Sequence, residues 1–416
     1  MSAYRTRIAD RLLANALAAL GAVVVEGPKA CGKTETARCL AASEVLLDLD
    51  PEAIEAAAID PRLILGGAIP RLIDEWQRQP RVWDAVRREV DNRKAPGQFI
   101  LTGSATPPDE ASRHSGAGRM AILQMRPMTL YEQGFSPGQI SLSELLTGHE
   151  PPAGKAPLTL AEYAERIAIG GWPGLLGASR AQAEQFIEGY LGVIIERDID
   201  LISGARRDPH LVRRFLEAYA QLTAHPATLS TIVSRATDEG ARAPSRWSAA
   251  PYLDALRRLM IVDEIDAWSP ELRSRTRLMS TPKRHLVDPS LAAALLNANP
   301  DRLLGELRTL GFLFESLVTR DLRVYAMAND ASLFHYRERG GDLEVDLIVE
   351  RNDGAWIAAE VKLGGELIDQ AASSLNKLAT RRAQRPPAAL MIVTATEYAY
   401  QRPDGILVAP LSLLGP

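Results

Sequence analysis

Cysteine is scarce in this sequence, with only Cys31 and Cys39 among 416 residues. The two thiols lie close together in a segment of helical character, so they do not indicate the disulfide framework of a small secreted domain. So few cysteines in a long chain are typical of a reducing compartment. We therefore expect a cytoplasmic protein.

Long apolar runs are lacking as well. No stretch reaches the ~18 apolar residues that a membrane-spanning helix requires. The chain begins with a charged segment, and residues 8–20 include Asp10 and Arg11, unlike the apolar region of a signal peptide. We expect no membrane partner.

Neither sign of charge is in large excess. The 48 lysines and arginines against 52 acidic residues give a net charge of -4 and a pI near 6.0. This balance excludes binding to nucleic acid through the charge of the whole chain, so any such surface must be a local patch. At roughly 150 residues per domain, the length suggests about three domains.

Residues 1–135 alternate short apolar runs with helical segments, which predicts a parallel α/β sheet. The predicted strands are 22–26, 45–49, 71–74 and 98–102. A segment rich in proline and glycine follows at 136–160, and its composition predicts a linker.

The remaining sequence changes character twice. Residues 161–300 are predicted to be mostly helical, and a helix at 249–260 followed by strands at 261–268 and 277–287 predicts a winged helix. Residues 301–416 predict the order α-β-β-β-α-β. Its elements are a helix at 301–322, strands at 332–337, 343–350 and 355–363, a helix at 366–382 and a strand at 388–394.

One contiguous motif carries most of the chemistry. It fits the GxxxxGK[ST] pattern with Gly27, Pro28, Lys29, Ala30, Cys31, Gly32, Lys33 and Thr34. Backbone N–H groups of such a loop hold phosphate, Lys33 adds positive charge, and Thr34 offers a hydroxyl to Mg²⁺. Glu35 extends the nucleotide-binding segment into the following helix. The motif predicts ATP and Mg²⁺ as cofactors.

Acidic and hydroxyl residues follow the neighbouring predicted strands. Asp74 ends one strand and is placed to hold Mg²⁺ through water, and Glu75 can polarise the attacking water as general base. Pro70 and Arg71 replace part of the apolar run that usually precedes such a pair.

Three further side chains are weaker candidates for the same site. Thr102 and Ser104 end a strand and can place a hydroxyl near the γ-phosphate, although a solvated turn explains them nearly as well. Arg119 is a candidate arginine finger, acting in its own subunit or in a neighbouring one, and the alternative is a surface arginine.

A second set of candidates lies near the C-terminus. Asp346 and Glu360 are expected to face each other across a hairpin, with Lys362 on the same side of its strand as Glu360. Glu315 can add a further carboxylate. Nucleases with a D…ExK signature use such residues to hold Mg²⁺, but the solvated face of a strand gives the same pattern. Cleavage is left open.

A basic cluster lies in the predicted wing. It comprises Arg273, Arg275, Arg277, Lys283 and Arg284. Such a cluster can neutralise several phosphates of double-stranded DNA in a salt-sensitive, sequence-independent manner. A solvated hairpin and a protein-contacting surface are the alternatives.

Taken together, these residues resemble the prokaryotic AAA-type ATPases that carry a C-terminal domain of unknown function with a PD-(D/E)XK-like core. Beyond the motifs above, the resemblance rests on weaker marks in a specific order. These marks are Gln77, Gly118-Arg119, Pro127-Met128-Thr129-Leu130-Tyr131-Glu132, Gly170-Gly171-Trp172-Pro173, Tyr190-Leu191 and Arg197-Asp198. The resemblance implies ATP binding, ATP hydrolysis and a nuclease-like tail without assigned activity.

The sequence therefore predicts a Mg²⁺-dependent ATPase that couples hydrolysis to a conformational change, with action on DNA left open. One alternative is an ATP-gated interaction module without turnover. Another is an ATP-regulated, metal-dependent nuclease. The sequence also leaves open whether the chain forms a homo-oligomer.

Overall fold

The computed structural model describes residues 4–104, 115–237, 246–271, 280–338, 340–381 and 385–416. The N-terminal and C-terminal parts of the chain each form an α/β structure. A helical region lies between them in the sequence.

The N-terminal part is built around a five-stranded sheet. Its elements are α1 (Ile8–Ala19), β1 (Ala22–Glu26), α2 (Lys33–Arg38), β2 (Ser43–Leu46), α3 (Pro51–Ile59), β3 (Arg71–Asp74), α4 (Arg81–Arg93), β4 (Phe99–Gly103) and β5 (Met120–Gln124). The strand order is β2-β3-β4-β1-β5, and every pairing is parallel. The predicted parallel sheet is thus confirmed, and β5 is a strand that the sequence pattern does not reveal.

The parallel arrangement decides where the site forms. The run from Ala22 to Val25 is completely buried, as expected of a central parallel strand covered on both faces. Because all five strands run the same way, the segments that follow β1, β3 and β4 emerge at one edge of the sheet. Glycine, acidic and hydroxyl residues from three distant parts of the sequence therefore converge.

The segment 136–160 is folded, so the prediction of a linker is wrong. It follows α5 (Leu130–Gln133) and contains β6 (Ile140–Ser141), α6 (Leu142–Leu146) and β7 (Gly154–Lys155). Its leucines lie in the hydrophobic core, and both short strands pair with strands of the C-terminal part. Proline and glycine punctuate the segment, but the apolar residues between them anchor it.

The described residues between 160 and 305 are mostly helical, as predicted for 161–300. The helices are α7 (Leu160–Ile169), α8 (Arg180–Val193), α9 (Ile199–Ser203), α10 (Pro209–Gln221), α11 (Leu229–Ala236), α12 (Arg246–Arg258), α13 (Pro289–Leu295) and α14 (Pro300–Gly305). A π-helical turn, Ile194–Asp198, connects α8 to α9.

Among the described residues, the expected wing is present only as isolated pairings. Antiparallel bridges join Val262 to Leu286 and Ile265 to Lys283, and a third joins Pro226 to Lys283. Residues 272–279 lie outside the described part of the chain. The winged helix thus stays a prediction.

The C-terminal part contains a mixed sheet. Its elements are α15 (Leu307–Met327), β8 (Ala331–Arg337), β9 (Glu344–Arg351), β10 (Trp356–Lys362), α16 (Ile368–Arg381), β11 (Ala389–Thr394), β12 (Tyr398–Gln401), β13 (Leu407–Pro410) and β14 (Leu414–Gly415). The sheet order is β7-β12-β13-β11-β10-β9-β8. The order α-β-β-β-α-β is as predicted, but β12, β13 and β14 extend it, and Glu306 separates the expected helix 301–322 into α14 and α15.

The helical region and the C-terminal part share one hydrophobic core. The ring of Tyr163 in α7 packs edge-on against Phe314 in α15, with the ring centroids 5.2 Å apart. The predicted boundary between residues 300 and 301 therefore does not separate two cores.

Candidate functional site

The loop between β1 and α2 requires glycine at two positions. A Cβ atom on Gly27 would lie 2.6 Å from the carbonyl oxygen of Met125 and 2.9 Å from Cys31 Sγ. Gly32 has a φ of +100° and caps the N-terminus of α2. Both glycines allow the tight turn that brings backbone N–H groups to the start of a helix, where anions bind.

Lys33 is buried at the start of α2 and spans the loop. Its Nζ donates hydrogen bonds to the carbonyl oxygens of Gly27 (3.0 Å) and Pro28 (2.9 Å). These contacts hold the ammonium group against the loop, so its charge is fixed beside the backbone N–H groups. A phosphate in the loop would meet this charge at little cost in side-chain ordering.

The carboxylate of Asp74 accepts hydrogen bonds from two threonine hydroxyl groups. Thr34 Oγ1 donates to Asp74 Oδ1 at 3.0 Å, and Thr102 donates to the same oxygen from the neighbouring strand. A threonine hydroxyl beside a carboxylate is a donor set of hard oxygens, which suits Mg²⁺. Thr34 and Asp74 therefore fit the ion that accompanies a nucleotide, and Thr102 orients the carboxylate.

Glu75 directly follows β3 and has a φ of +53°. Its carboxylate accepts a hydrogen bond from Ser104 Oγ (3.3 Å) and another from the side-chain amide of Gln77. Burial raises the pKa of Glu75 and the charge of Asp74 adds to this effect, while Lys33 opposes it. A held carboxylate with a raised pKa suits a general base.

Lys33, Thr34, Glu75 and Ser104 line one open pocket with a volume of about 460 Å³. Its lining consists of Lys29, Ala30, Gly32, Lys33, Thr34, Glu35, Asp48, Glu75, Arg78 and Ser104. The structure thus brings the phosphate loop, Glu35, Glu75 and Ser104 together. Asp48 and Arg78 also line the pocket, although the sequence does not predict them as site residues. Arg78 belongs to the turn Trp76–Arg78, which directly follows Glu75. Its closeness to Glu75 in the sequence is the feature that could have indicated a place in the site.

Residues outside the sheet brace the loop. Arg7 is buried and donates to the carbonyl oxygens of Cys31 (2.8 Å) and Arg126 (2.8 Å). It also forms an ion pair with Glu132 (3.0 Å), which belongs to the capping box of α5. No motif marks Arg7, so its role emerges only from the folded chain.

Arg119 does not reach this pocket. It precedes β5, and its carbonyl accepts from Ala22 N at the beginning of β1, whereas the loop follows the end of β1. A five-residue strand separates the two ends by about 15 Å. The Arg119 guanidinium pairs with Asp91 at 2.7 Å. The prediction of an arginine finger is therefore wrong within one subunit.

The C-terminal carboxylates do come together. The antiparallel register pairs Ala359 with Leu347, which brings Glu360 beside Asp346, and Val361 N donates to Asp346 Oδ2 at 2.9 Å. Lys362 Nζ lies 2.6 Å from Glu360 and 3.3 Å from Asp346. Glu315 is buried on the adjoining helix α15.

A lysine from the helical region lies within this group. Lys283 is 1% exposed, and its Nζ lies 2.6 Å from Glu315 and 3.1 Å from Asp346. Among the described residues, no group of three or more His, Cys, Asp or Glu side chains is arranged to hold a metal ion. Two ammonium groups pair with these carboxylates, and the metal centre at Glu315, Asp346 and Glu360 stays a prediction.

Burial sets the protonation of this cluster. Burial and the charge of Asp346 raise the pKa of Glu315 to about 7. The same causes raise the pKa of Glu360. Asp346 is held ionised because Lys283 and Lys362 outweigh its burial and lower its pKa. The group is a self-neutralised ionic cluster.

The basic cluster of the predicted wing is not an exposed surface at its described positions. Lys283 and Arg284 are buried, and Arg284 Nε donates to the carbonyl oxygen of Ala227 at 2.8 Å. Their expected role as DNA contacts is wrong. Arg273, Arg275 and Arg277 lie outside the described residues.

Comparison with known proteins finds similarities in three parts of the chain. Residues 20–133 match a family model described as an AAA domain. Residues 160–302 and 310–414 match two models, each described as a domain of unknown function (DUF8612 and DUF4143). The N-terminal part is therefore similar to AAA domains, and this similarity supports a role in ATP binding or hydrolysis.

Two relatives extend over most of the chain. Uncharacterized proteins of Mycobacterium tuberculosis and Mycobacterium bovis are each 26% identical over 352 residues, which cover 83% of this chain and 71% of each relative. In the described part of the chain, no helix combines the length and apolar character needed to cross a bilayer.

Among solved structures, the Walker-type ATPase PaBY2304 of Pyrococcus abyssi is 15% identical with a TM-score of 0.40, covering 69% of this chain and 94% of that one. A structure of Drosophila ORC bound to DNA is 15% identical with a TM-score of 0.19, covering 71% and 87%. Both likenesses are too low to bear on function.

Proposed function

We propose that this protein is a Mg²⁺-dependent ATPase in which hydrolysis drives a conformational change of the helical region. The observation that supports hydrolysis is the position of Glu75. Its carboxylate faces the same pocket as Lys33 and Thr34, and hydrogen bonds from Gln77 and Ser104 hold it in place.

Each side chain has a distinct role in this proposal. Backbone N–H groups of the loop and the Lys33 ammonium bind the phosphates. Thr34 and Asp74 would hold Mg²⁺, which neutralises charge on the phosphate oxygens when bound. Glu75 accepts a proton from the attacking water at a carboxylate oxygen, and its raised pKa keeps it basic enough for that task.

The coupling follows from contacts between the loop and the helical region. Tyr190 in α8 donates to the carbonyl oxygen of Lys29 at 3.3 Å, and Asp198 after α8 pairs with the Lys29 side chain at 2.9 Å. A conformational change in the loop would therefore alter direct contacts with the end of α8 and with the segment between α8 and α9.

Two variants test the assignment. Lys33→Ala should abolish nucleotide binding, because the loop loses its fixed cation. Glu75→Gln should bind ATP with Mg²⁺ normally and lose about 10²- to 10⁴-fold in turnover, the typical contribution of a general base. Glu397→Gln, in an exposed ion pair with Lys155, is the matched control and should hydrolyse ATP as wild type does.

The measurement is steady-state phosphate release alongside equilibrium titration with a nucleotide. Turnover that survives in Glu75→Gln would remove Glu75 from the mechanism. Tight binding of ATP by the wild-type protein without any turnover would instead support an ATP-gated interaction module. Adding double-stranded DNA across a salt series tests the expected DNA partner, since stimulation must weaken as salt rises.

A further inference from the structure

Lys29 links the phosphate loop to the helical region by a paired charge. Its side chain is 48% exposed and lines the nucleotide pocket. Its Nζ lies 2.9 Å from each carboxylate oxygen of Asp198. One ammonium group therefore faces both the pocket and a carboxylate from another part of the fold.

Asp198 depends on this cation. Its side chain is only 6% exposed, and within the described residues both hydrogen bonds to its carboxylate come from Lys29. A buried carboxylate that loses its cation must regain solvent or find another partner. Movement of the Lys29 ammonium would therefore oblige the backbone around Asp198 to adjust.

The segment that carries Asp198 is suited to such an adjustment. Asp198 ends the π-helical turn Ile194–Asp198, and single π turns inside helices are uncommon and often occur at functional sites. Tyr190, one turn earlier, donates to the Lys29 carbonyl and packs on Trp172 with ring centroids 4.7 Å apart. The end of α8 thus contacts the Lys29 backbone, and the π turn that follows contacts the Lys29 side chain.

Phosphate oxygens of a bound nucleotide would compete with Asp198 for the same ammonium group. Lys29 lines the pocket together with Glu75 and Ser104, the side chains expected to face the phosphate under attack. A triphosphate carries more negative charge into this part of the pocket than a diphosphate. Hydrogen bonds from an ammonium group to phosphate and to carboxylate are both charge-assisted, so a phosphate group can replace Asp198 as the partner of the half-exposed Lys29.

We propose that Lys29 senses the terminal phosphate of bound ATP by leaving Asp198, and that the released Asp198 reports this to the helical region through the π turn. The proposal rests on the ATP site described above. Lys29 is then a positioning residue that distinguishes the triphosphate from the diphosphate. Asp198 lowers the affinity for ATP until it is displaced.

The test compares Lys29→Met, Lys29→Arg, Asp198→Asn and the double variant Lys29→Met/Asp198→Asn. Affinities are measured for ADP and for a non-hydrolysable ATP analogue, each with Mg²⁺. Backbone hydrogen exchange is followed over residues 190–203 in each state. Lys155→Met is the matched control, since Lys155 pairs with Glu397 at 2.7 Å on the exposed edge of the C-terminal sheet.

We expect the analogue, and not ADP, to raise exchange over residues 190–203 in the wild-type protein and in Lys155→Met. Lys29→Met should bind the analogue about tenfold more weakly, the typical size of one lost charged hydrogen bond, and should abolish the exchange response. Lys29→Arg should keep the response. Asp198→Asn should bind the analogue more tightly and leave ADP unchanged, and the double variant should show no gain over Lys29→Met.

Equal effects of Asp198→Asn on the affinities for ADP and the analogue would mean a structural role and would overturn the proposal. An exchange response that persists in Lys29→Met would do the same. In either case hydrolysis by the wild-type protein would leave the ATP site standing. If the wild-type protein binds no nucleotide at all, both proposals fail together.

Discussion

Replacing Lys283 by methionine should destabilise the protein strongly and in a pH-dependent way. Methionine keeps the length and apolar stem of the side chain but removes the charge that Glu315 and Asp346 share. Removing one partner of a buried ion pair typically costs about 3–5 kcal/mol, because the remaining charge stays buried without compensation. Lys362 still pairs with Asp346, so the loss falls mainly on Glu315.

The pH dependence follows from the raised pKa of Glu315, about 7 in the fold against 4.5 for an ordinary glutamate. A raised pKa in the folded state contributes stability below the unfolded pKa, and this stability is lost as pH rises to the folded pKa. In the wild-type protein the loss ends near pH 7. Without Lys283 the pKa of Glu315 rises further, so the loss continues above pH 7 at about 1.4 kcal/mol per pH unit.

We therefore expect Lys283→Met to cost about 3–5 kcal/mol at pH 8.5 and about 2 kcal/mol less at pH 6. Urea unfolding at both pH values measures the difference, with tryptophan fluorescence as the signal; Trp356 is buried in the same sheet. Adding Glu315→Gln to Lys283→Met should recover much of the loss at pH 8.5, since both partners of the pair are then neutral.

The exposed variant Lys155→Met is the control and should unfold like the wild-type protein at both pH values. A cost below about 1 kcal/mol for Lys283→Met, or one that is equal at pH 6 and pH 8.5, would refute the reasoning. Either result would mean that water reaches the cluster and screens its charges. Failure of Glu315→Gln to restore stability would place the lost interaction elsewhere.

Three further outcomes follow from the nucleotide site. Gly27→Ala should weaken nucleotide binding at least tenfold in a titration, because its Cβ would lie 2.6 Å from the Met125 carbonyl oxygen, and unchanged affinity would contradict that geometry. The rate of hydrolysis should fall on acidification with a pKa above 4.5, since Glu75 must be ionised and burial raises its pKa; an acid limb at or below 4.5 would disagree. Arg119→Ala should leave turnover within about twofold, and a loss of about 10³-fold that appears only when subunits are assembled would mean that Arg119 acts on a neighbouring subunit.

The nucleotide site is largely predictable because its chemistry is local in sequence. The loop, its preceding strand and its following helix are contiguous, and the phosphate-binding pattern requires glycine and lysine at fixed positions. Asp74 and Glu75 follow from the same logic, since acidic residues at the end of a parallel strand arrive at the same edge as the loop. The departures at Pro70 and Arg71 leave β3 intact.

The errors arise where long-range pairing decides the outcome. Lys283 lies among basic residues in the sequence, which suggests a solvated surface, but its partners are 32 and 63 residues away. The position of Arg119 relative to the phosphate loop depends on the direction of β5. The burial of this strand does not alternate regularly, so the sequence pattern does not reveal it. Neither partner nor direction can be read from a short window of residues.

Two of the weaker sequence motifs, 127–132 and 170–173, contact each other in the folded chain. Met128 N donates to the carbonyl oxygen of Gly171 at 2.6 Å, and a Cβ on Gly171 would collide with the backbone of Met128. Gly171 N in turn donates to Asp288 at 3.0 Å, and Asp288 pairs with Arg320 of α15 at 2.8 Å. The segments 127–132 and 170–173 are therefore one contact, which joins the sheet to the shared core.

This contact restricts how nucleotide-dependent motion can occur. Arg7 binds both Cys31 in the loop and Glu132 in the segment 127–132, so the loop is tied to the same buried network. A rigid swing of the whole helical region would have to break the buried pair between Arg320 and Asp288, at a cost of several kcal/mol. Motion confined to the π turn would exchange only the Lys29–Asp198 pair, in which the lysine is half-exposed and the carboxylate is buried. The cheaper change is the local one, and this is why Asp198 is the position at which hydrogen exchange should first respond to ATP.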